Sequence, residues 1–170
     1  MADSFIPGSK SQKFPRLKAE ILREFKDIER CHVELNELLG KLEDKEKSTF
    51  DLRAIGSILH DFYCGIERIF ERIAKELNGG VPEGTNWHRQ LLRDMTLDIK
   101  GVRPPVISEE LEKMLSEYLR FRHVFRNIYG FSLEWRFMEG LVERLPFILN
   151  TLKKEIEAFC AFLENISHSL

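Results

Sequence analysis

One stretch limits the folds open to this chain more than any other. Leu52, Ile55, Leu59, Phe62, Ile66, Ile69, Ile73 and Leu77 recur at steps of three and four residues. That period lines up one face of a long α-helix and does not fit the alternation of a strand. Ser48 or Thr49 supplies an N-cap. Asn78-Gly79-Gly80 stops the helix, because glycine takes the left-handed conformation of a C-cap at little cost. A seam of this length is buried only by packing other helices on it.

Those partners are present on both sides. A first helix is predicted from about Pro15 to Leu42, with Leu17, Ile21, Phe25, Ile28, Leu35, Leu38 and Leu42 on one face. Proline suits the first turn, where its missing N–H has no partner to lose. A short helix from about Asn86 to Leu97 is anchored by Trp87, Leu91 and Leu92. The prolines in Gly101 to Pro105 force an extended connection. Ser108 then caps a fourth helix, with Glu109 and Glu110 well placed in its first turn. It carries Leu111, Leu115, Tyr118, Phe121 or Arg122, Phe125 and Tyr129 inward or toward a partner and is broken by Gly130. A long closing helix runs from after Ser132 to about Ile166, with a kink expected at Pro146 and a seam through Leu141, Leu145, Ile148, Leu152, Ile156, Phe159 and Leu163. No strand is predicted. The fold class is therefore all-α: an up-down bundle of four long helices plus one short one.

Composition narrows the function classes. At 170 residues the chain is one domain by length. Residues 1–13, broken by Pro7 and Gly8, read as a flexible segment ahead of a single domain over 14–170. A net charge of −2 gives no global attraction to nucleic acid or to an anionic membrane, so any such affinity must be local. No apolar run approaches the roughly 20 residues of a membrane span. No signal peptide is apparent, and Cys31, Cys64 and Cys160 are too dispersed for a disulfide framework or a zinc knuckle. A cytoplasmic protein with buried thiols is expected.

The chemistry concentrates at the end of the fourth helix. Tyr118 to Phe131 holds three arginines (Arg120, Arg122, Arg126), His123, Asn127 and two tyrosines, with no carboxylate between Glu117 and Glu134. Uncancelled positive charge of this kind attracts phosphate. On a continuous helix Arg122, Arg126 and Tyr129 share a face, edged by His123 and Asn127. Two exposed arginines, Arg120 and Arg126, are candidate contacts for a polynucleotide.

This stretch resembles the signature of the HEPN superfamily, and most closely that of its HepT-like toxins: Arg, four to six residues, His, one residue, Tyr, near a helix end. Here Arg122, Asn127 and Tyr129 reproduce the spacing, and His123 stands where a polar residue is usual. Phe62-Tyr63-Cys64-Gly65-Ile66-Glu67-Arg68-Ile69-Phe70, Trp87-His88-Arg89-Gln90-Leu91-Leu92 and the closing helix extend the likeness over residues 15 to 165. The resemblance implies an all-helical homodimer that cuts RNA without metal, by attack of the ribose 2′-OH on the adjacent phosphodiester. Its partner would be a nucleotidyltransferase antitoxin that transfers AMP to the motif tyrosine. Carried over by position, Arg122 stabilises phosphate charge, His123 or Asn127 positions or activates the hydroxyl, and Tyr129 lines the cleft and accepts modification.

The departure is Asn127 in place of the motif histidine. An amide hydrogen-bonds a phosphate oxygen but moves no proton. Loss of acid–base help costs about 10²–10⁴-fold. Three readings therefore stay open: an endoribonuclease toxin, a HEPN module that binds or is adenylylated without cutting, and a plain interaction bundle. Simpler roles exist for each residue. Arg122 would pair with Glu67 or Glu117, Arg120 and Arg126 would be solvated, His123 structural, Asn127 a helix-end residue and Tyr129 a core-edge aromatic. Glu67, one residue after the seam position Ile66, reads as an ordinary exposed charge or, alternatively, as a carboxylate near the interior that orients Arg122, and His88 and Trp87 read as packing for the short helix. The histidines show no metal spacing, and no glycine-rich phosphate loop or GxSxG elbow is present, so neither metal nor cofactor is expected. Cys64, in an apolar seam, is not expected to act as a nucleophile. Phe121, Phe125 and Phe131 are not all expected to fit inside the bundle, and a homodimer across the fourth helix would bury them.

Overall fold

The computed structural model describes residues 10–42 and 46–168, apart from the side chains of residues 10, 11 and 168. Five α-helices follow in order: α1 Lys10–Leu42, α2 Thr49–Leu77, α3 Trp87–Asp94, α4 Glu109–Asn127 and α5 Trp135–His168, with a 3₁₀ turn at Gly130–Ser132. Among the described residues there is no strand, only an isolated bridge between Ile99 and Arg103. The architecture is the all-α bundle of four long helices and one short one. No helix among the described residues is long and apolar enough to cross a membrane.

The seams expected from the sequence form the core. Ile55, Leu59, Phe62, Ile66, Ile69 and Ile73 of α2 are buried, as are Leu17, Ile21, Phe25, Ile28 and Leu35 of α1. The whole closing seam, Leu141 to Leu163, is buried too. α2 is the spine. It packs on α1, α3, α4 and α5.

Helix ends follow local chemistry. Ser48 caps α2 in a capping box: its hydroxyl accepts from the N–H of Asp51, whose carboxylate accepts from the Ser48 N–H. Ser108 caps α4 through Leu111, and its N–H and hydroxyl both donate to Glu155 of α5, which ties the start of α4 to the closing helix. Three boundaries differ from expectation. α1 begins at Lys10, so Pro15 lies within the helix; a proline this close to the end sacrifices one backbone bond where few are established. The flexible segment expected over 1–13 falls, for residues 1–9, outside the described residues. α3 ends at Asp94 rather than near Leu97 because the buried Arg103 guanidinium takes the carbonyls of Asp94 and Leu97. α5 starts at Trp135 and continues through Pro146, whose ring lies on the exposed side.

The third helix-forming constraint concerns the end of α4. Gly56 of α2 lies under Phe125 and Leu133: a Cβ there would come within 2.8 Å of Phe125 Cε2 and 3.3 Å of Leu133 Cδ1. The bare backbone lets the last turn of α4 and the segment after it close on α2. Phe121 is buried and Phe125 half-buried, so two of the three phenylalanines fit within the bundle and the three together do not. Phe131 remains exposed.

Candidate functional site

The expected stripe of Arg122, Arg126 and Tyr129 on one helix face is not what forms. α4 stops at Asn127; Ile128 is extended (ψ 156°), and Tyr129 is extended as well. Asn127 contributes to this stop. Its side-chain amide donates to the His123 carbonyl at 2.6 Å, a local bond of the kind that competes with helix continuation. Tyr129 therefore stands beyond the helix, 75% exposed, its ring stacked on Phe131.

Arg122 goes the other way. It is 7% exposed and meets Glu67 of α2, which is 5% exposed. Nη2 lies 3.3 Å from Glu67 Oε1, and Nη1 lies 3.4 Å from Nε2 of His88 on α3. His88 Nδ1 lies 2.7 Å from the other Glu67 oxygen. Glu67 is thus not a solvated charge, and it rather than Glu117 holds Arg122; Glu117 pairs with Arg144.

The ring of contacts fixes its own protonation. Arginine can only donate, so His88 Nε2 must present a lone pair to it. The imidazole is then neutral, with its proton on Nδ1 directed at Glu67. Burial pushes the His88 pKa down to about 4, helped by Arg122 and Arg126. Burial also raises Glu67, against the pull of Arg122. The Nε of Arg122 is buried without a partner, so the guanidinium is positioned but not saturated.

His123 is exposed on the next position of α4. Its ring meets His88 edge-on with centroids 5.5 Å apart. Burial, His88 and Arg122 lower its pKa, which holds it neutral and able to accept a proton. Arg120 and Arg126 are exposed and form no ion pair among the described residues. The structure thus brings Arg122, His123, Glu67 and His88 together and sends Tyr129 outward. His88 was read from the sequence only as packing; its place beside Trp87, on which it stacks, gave no sign of a polar role.

The thiols are free. His60, one turn before Cys64, comes within 3.6 Å of its sulfur. Burial nevertheless raises the Cys64 pKa, so the pair does not produce a thiolate. No group of three metal-ligating side chains occurs among the described residues.

An all-helical bundle with an inward arginine, a polar residue directly after it and a tyrosine just past the helix end defines a HEPN-like protein. The profile described as HepT-like protein matches residues 54–163, well over half of the chain, and the chain belongs to that family. No curated protein and no solved structure matches it significantly.

Proposed function

We propose that this chain is the HEPN half of a toxin–antitoxin pair: a homodimer that engages RNA, cuts it poorly, and serves as acceptor of AMP on Tyr129 from a nucleotidyltransferase partner. The contrast between positions 127 and 129 carries the reading. Asn127 turns its amide back on its own helix, whereas the Tyr129 ring projects into solvent on an extended segment. The phenol oxygen attacks the α-phosphorus of ATP held by the partner, pyrophosphate leaves, and the phenol proton passes to a base of that partner. The added phosphodiester carries one negative charge and offsets part of the positive charge of Arg120 and Arg126.

The dimer face that fits is the groove of about 620 Å³ between α4 and α5. Val124, Ile128 and Phe137 stand exposed along it, while Arg136 and Arg144 on its rim are already paired with Glu134 and Glu117. Covering such a face removes apolar surface from water and leaves Arg120 as the one lining arginine without an ion-pair partner among the described residues.

A second reading, retained cleavage, has one observation in its favour. His123 is an exposed, neutral imidazole beside Arg122 and occupies the place of a general base. The two readings separate in one experiment. The chain, Asn127→His, His123→Ala and Tyr129→Phe are incubated with total RNA in chelator, and separately with the cognate nucleotidyltransferase and ATP. We expect only weak cleavage by the parent that His123→Ala leaves unchanged, a gain of at least tenfold in Asn127→His, and an AMP mass increment lost in Tyr129→Phe. Parent cleavage abolished by His123→Ala establishes the second reading instead. Absence of the AMP increment on the parent removes the acceptor role.

A further inference from the structure

The exposed aromatics after α4 are arranged as well as abundant. Tyr129 and Phe131 lie on either side of Gly130, with ring planes 7° from parallel and centroids 5.2 Å apart. They are 75% and 67% exposed. Neither lines the α4–α5 groove, whose wall is formed instead by their neighbours Ile128 and Ser132. Two large aromatic faces kept in water are costly for a fold whose other large rings mostly pack inward.

One cation rests against the turn between the rings, and a second stands three residues before Tyr129 in the chain. A Cβ on Gly130 would lie 2.6 Å from Nε of Arg53 and 2.8 Å from its Cζ, so the guanidinium of α2 rests directly against the turn carrying both rings. Arg53 and Arg126 have no ion-pair partner among the described residues. No carboxylate occurs from Tyr118 to Leu133. Parallel aromatic faces beside unpaired arginines suit a flat π-system joined to a phosphate, and any base has such a face.

We propose that Tyr129 and Phe131 form a stacking platform for an unpaired nucleobase, with Arg53 and Arg126 taking the adjoining phosphate. The inference rests on the RNA-engaging function proposed above and names the form of RNA engaged: single-stranded, with at least one base free to unstack. A base inside a duplex cannot reach the rings. The same chemistry is offered by a free mononucleotide, which the test distinguishes.

The test uses the full chain in its native oligomeric state and fluorescence anisotropy at fixed salt. The probes are a labelled single-stranded oligoribonucleotide, the same strand with abasic sites, its duplex, and AMP as competitor. Expected are binding of the single strand, binding of the duplex and the abasic strand weakened by at least about tenfold, and no displacement by millimolar AMP. Phe131→Ala weakens single-strand binding by about tenfold, Phe131→Tyr restores it, and Phe147→Ala, another exposed phenylalanine, leaves it unchanged. Displacement by AMP at low concentration assigns the platform to a free nucleotide and overturns the strand reading. Single-strand binding that is equal in the parent and Phe131→Ala overturns the platform alone. No RNA binding by the parent removes the RNA-engaging function as well; the adenylylation assay on Tyr129 is independent of both. A change in oligomeric state for Phe131→Ala, with RNA binding intact, shows a protein interface and overturns the proposal.

Discussion

Two arginines are buried in this protein, and they are held in opposite ways. Arg103 is 2% exposed and is nearly saturated. Its Nε donates to Asn78 Oδ1 at 2.8 Å, Nη1 to the carbonyls of Leu97 and Pro104 at 3.0 and 3.1 Å, and Nη2 to the carbonyl of Asp94 at 2.8 Å. All its partners are neutral, and each is a loose end of backbone or a turn residue. Arg122 makes two longer contacts, one to a carboxylate and one to an imidazole, and leaves Nε without a partner. The first closes the α2–α3 connections. The second keeps donor capacity in reserve at modest structural gain. Buried charge alone therefore does not mark a site, and neither does an unpartnered buried Nε, which Arg72 shares; what distinguishes Arg122 is its place beside His88, His123 and a helix end free of carboxylates.

The largest effect expected from this comparison is at Arg103. Arg103→Ala strips the donor from three carbonyls and one amide at once, at a cost of about 3–5 kcal/mol. Urea denaturation measures it directly. A loss below about 1 kcal/mol would mean that water replaces the guanidinium freely, and the contrast with Arg122 would disappear.

Most of the bundle was legible in the sequence, and the reason is periodic. The α2 and α5 seams repeat an interaction that each residue makes with its neighbours three and four positions away. Ser48 and Ser108 act within three residues of themselves. Such features need no knowledge of the rest of the chain. Arg103 was not legible, because its acceptors lie as far off as Asn78 and its own segment, Gly101 to Pro105, reads only as an extended connection. Glu67 reads as exposed for the same reason: burial is decided by α3 and α4, which lie elsewhere in the sequence. The end of α4 was placed two residues too late, since glycine at 130 is a visible stop while the Asn127 amide bond to His123 and the burial of Leu133 are tertiary facts. The motif spacing identified Arg122 and Tyr129; it could not show that one turns inward and the other outward.

A second, intermediate effect concerns protons. The His88 pKa is about 4 when folded and near 6.5 when unfolded, so the unfolded chain binds more protons across that window. Stability attached to neutral His88 is therefore present above pH 6.5 and drains as the pH falls toward 4. Glu67 opposes it: with its pKa raised by burial, the folded chain holds extra proton above 4.5, and that contribution declines as pH rises. His123 is shifted in the same direction as His88. The parent should lose about 1–2 kcal/mol more between pH 6.5 and 5 than His88→Gln does. Urea midpoints at three pH values provide the comparison. Equal slopes would show that His88 charges without disturbing the Glu67–Arg122 contact. Arg103, whose acceptors do not titrate, contributes nothing in this window.

The smallest effect separates the two arginines most cleanly, because it keeps the charge and changes only the shape. Lysine at 103 places one ammonium where a planar fork reached acceptors in several directions; it can satisfy one or two of them and leaves the others buried and unpaired. Arg103→Lys should therefore cost most of what Arg103→Ala does. Lysine at 122 still puts a cation against Glu67, which is the shorter and charge-assisted half of that contact, and forfeits only the 3.4 Å approach to His88 and an Nε that had no partner to lose. Its cost should stay within about 1 kcal/mol, while any phosphate contact it adds to those of Arg53 and Arg126 would be weakened. Thermal denaturation of the two lysine variants, with single-strand RNA binding measured in parallel, gives opposite rankings if the arginines differ as described. A large stability loss for Arg122→Lys with RNA binding preserved would reverse their roles, making Arg122 a structural clip and leaving Arg53 and Arg126 as the phosphate contacts without it.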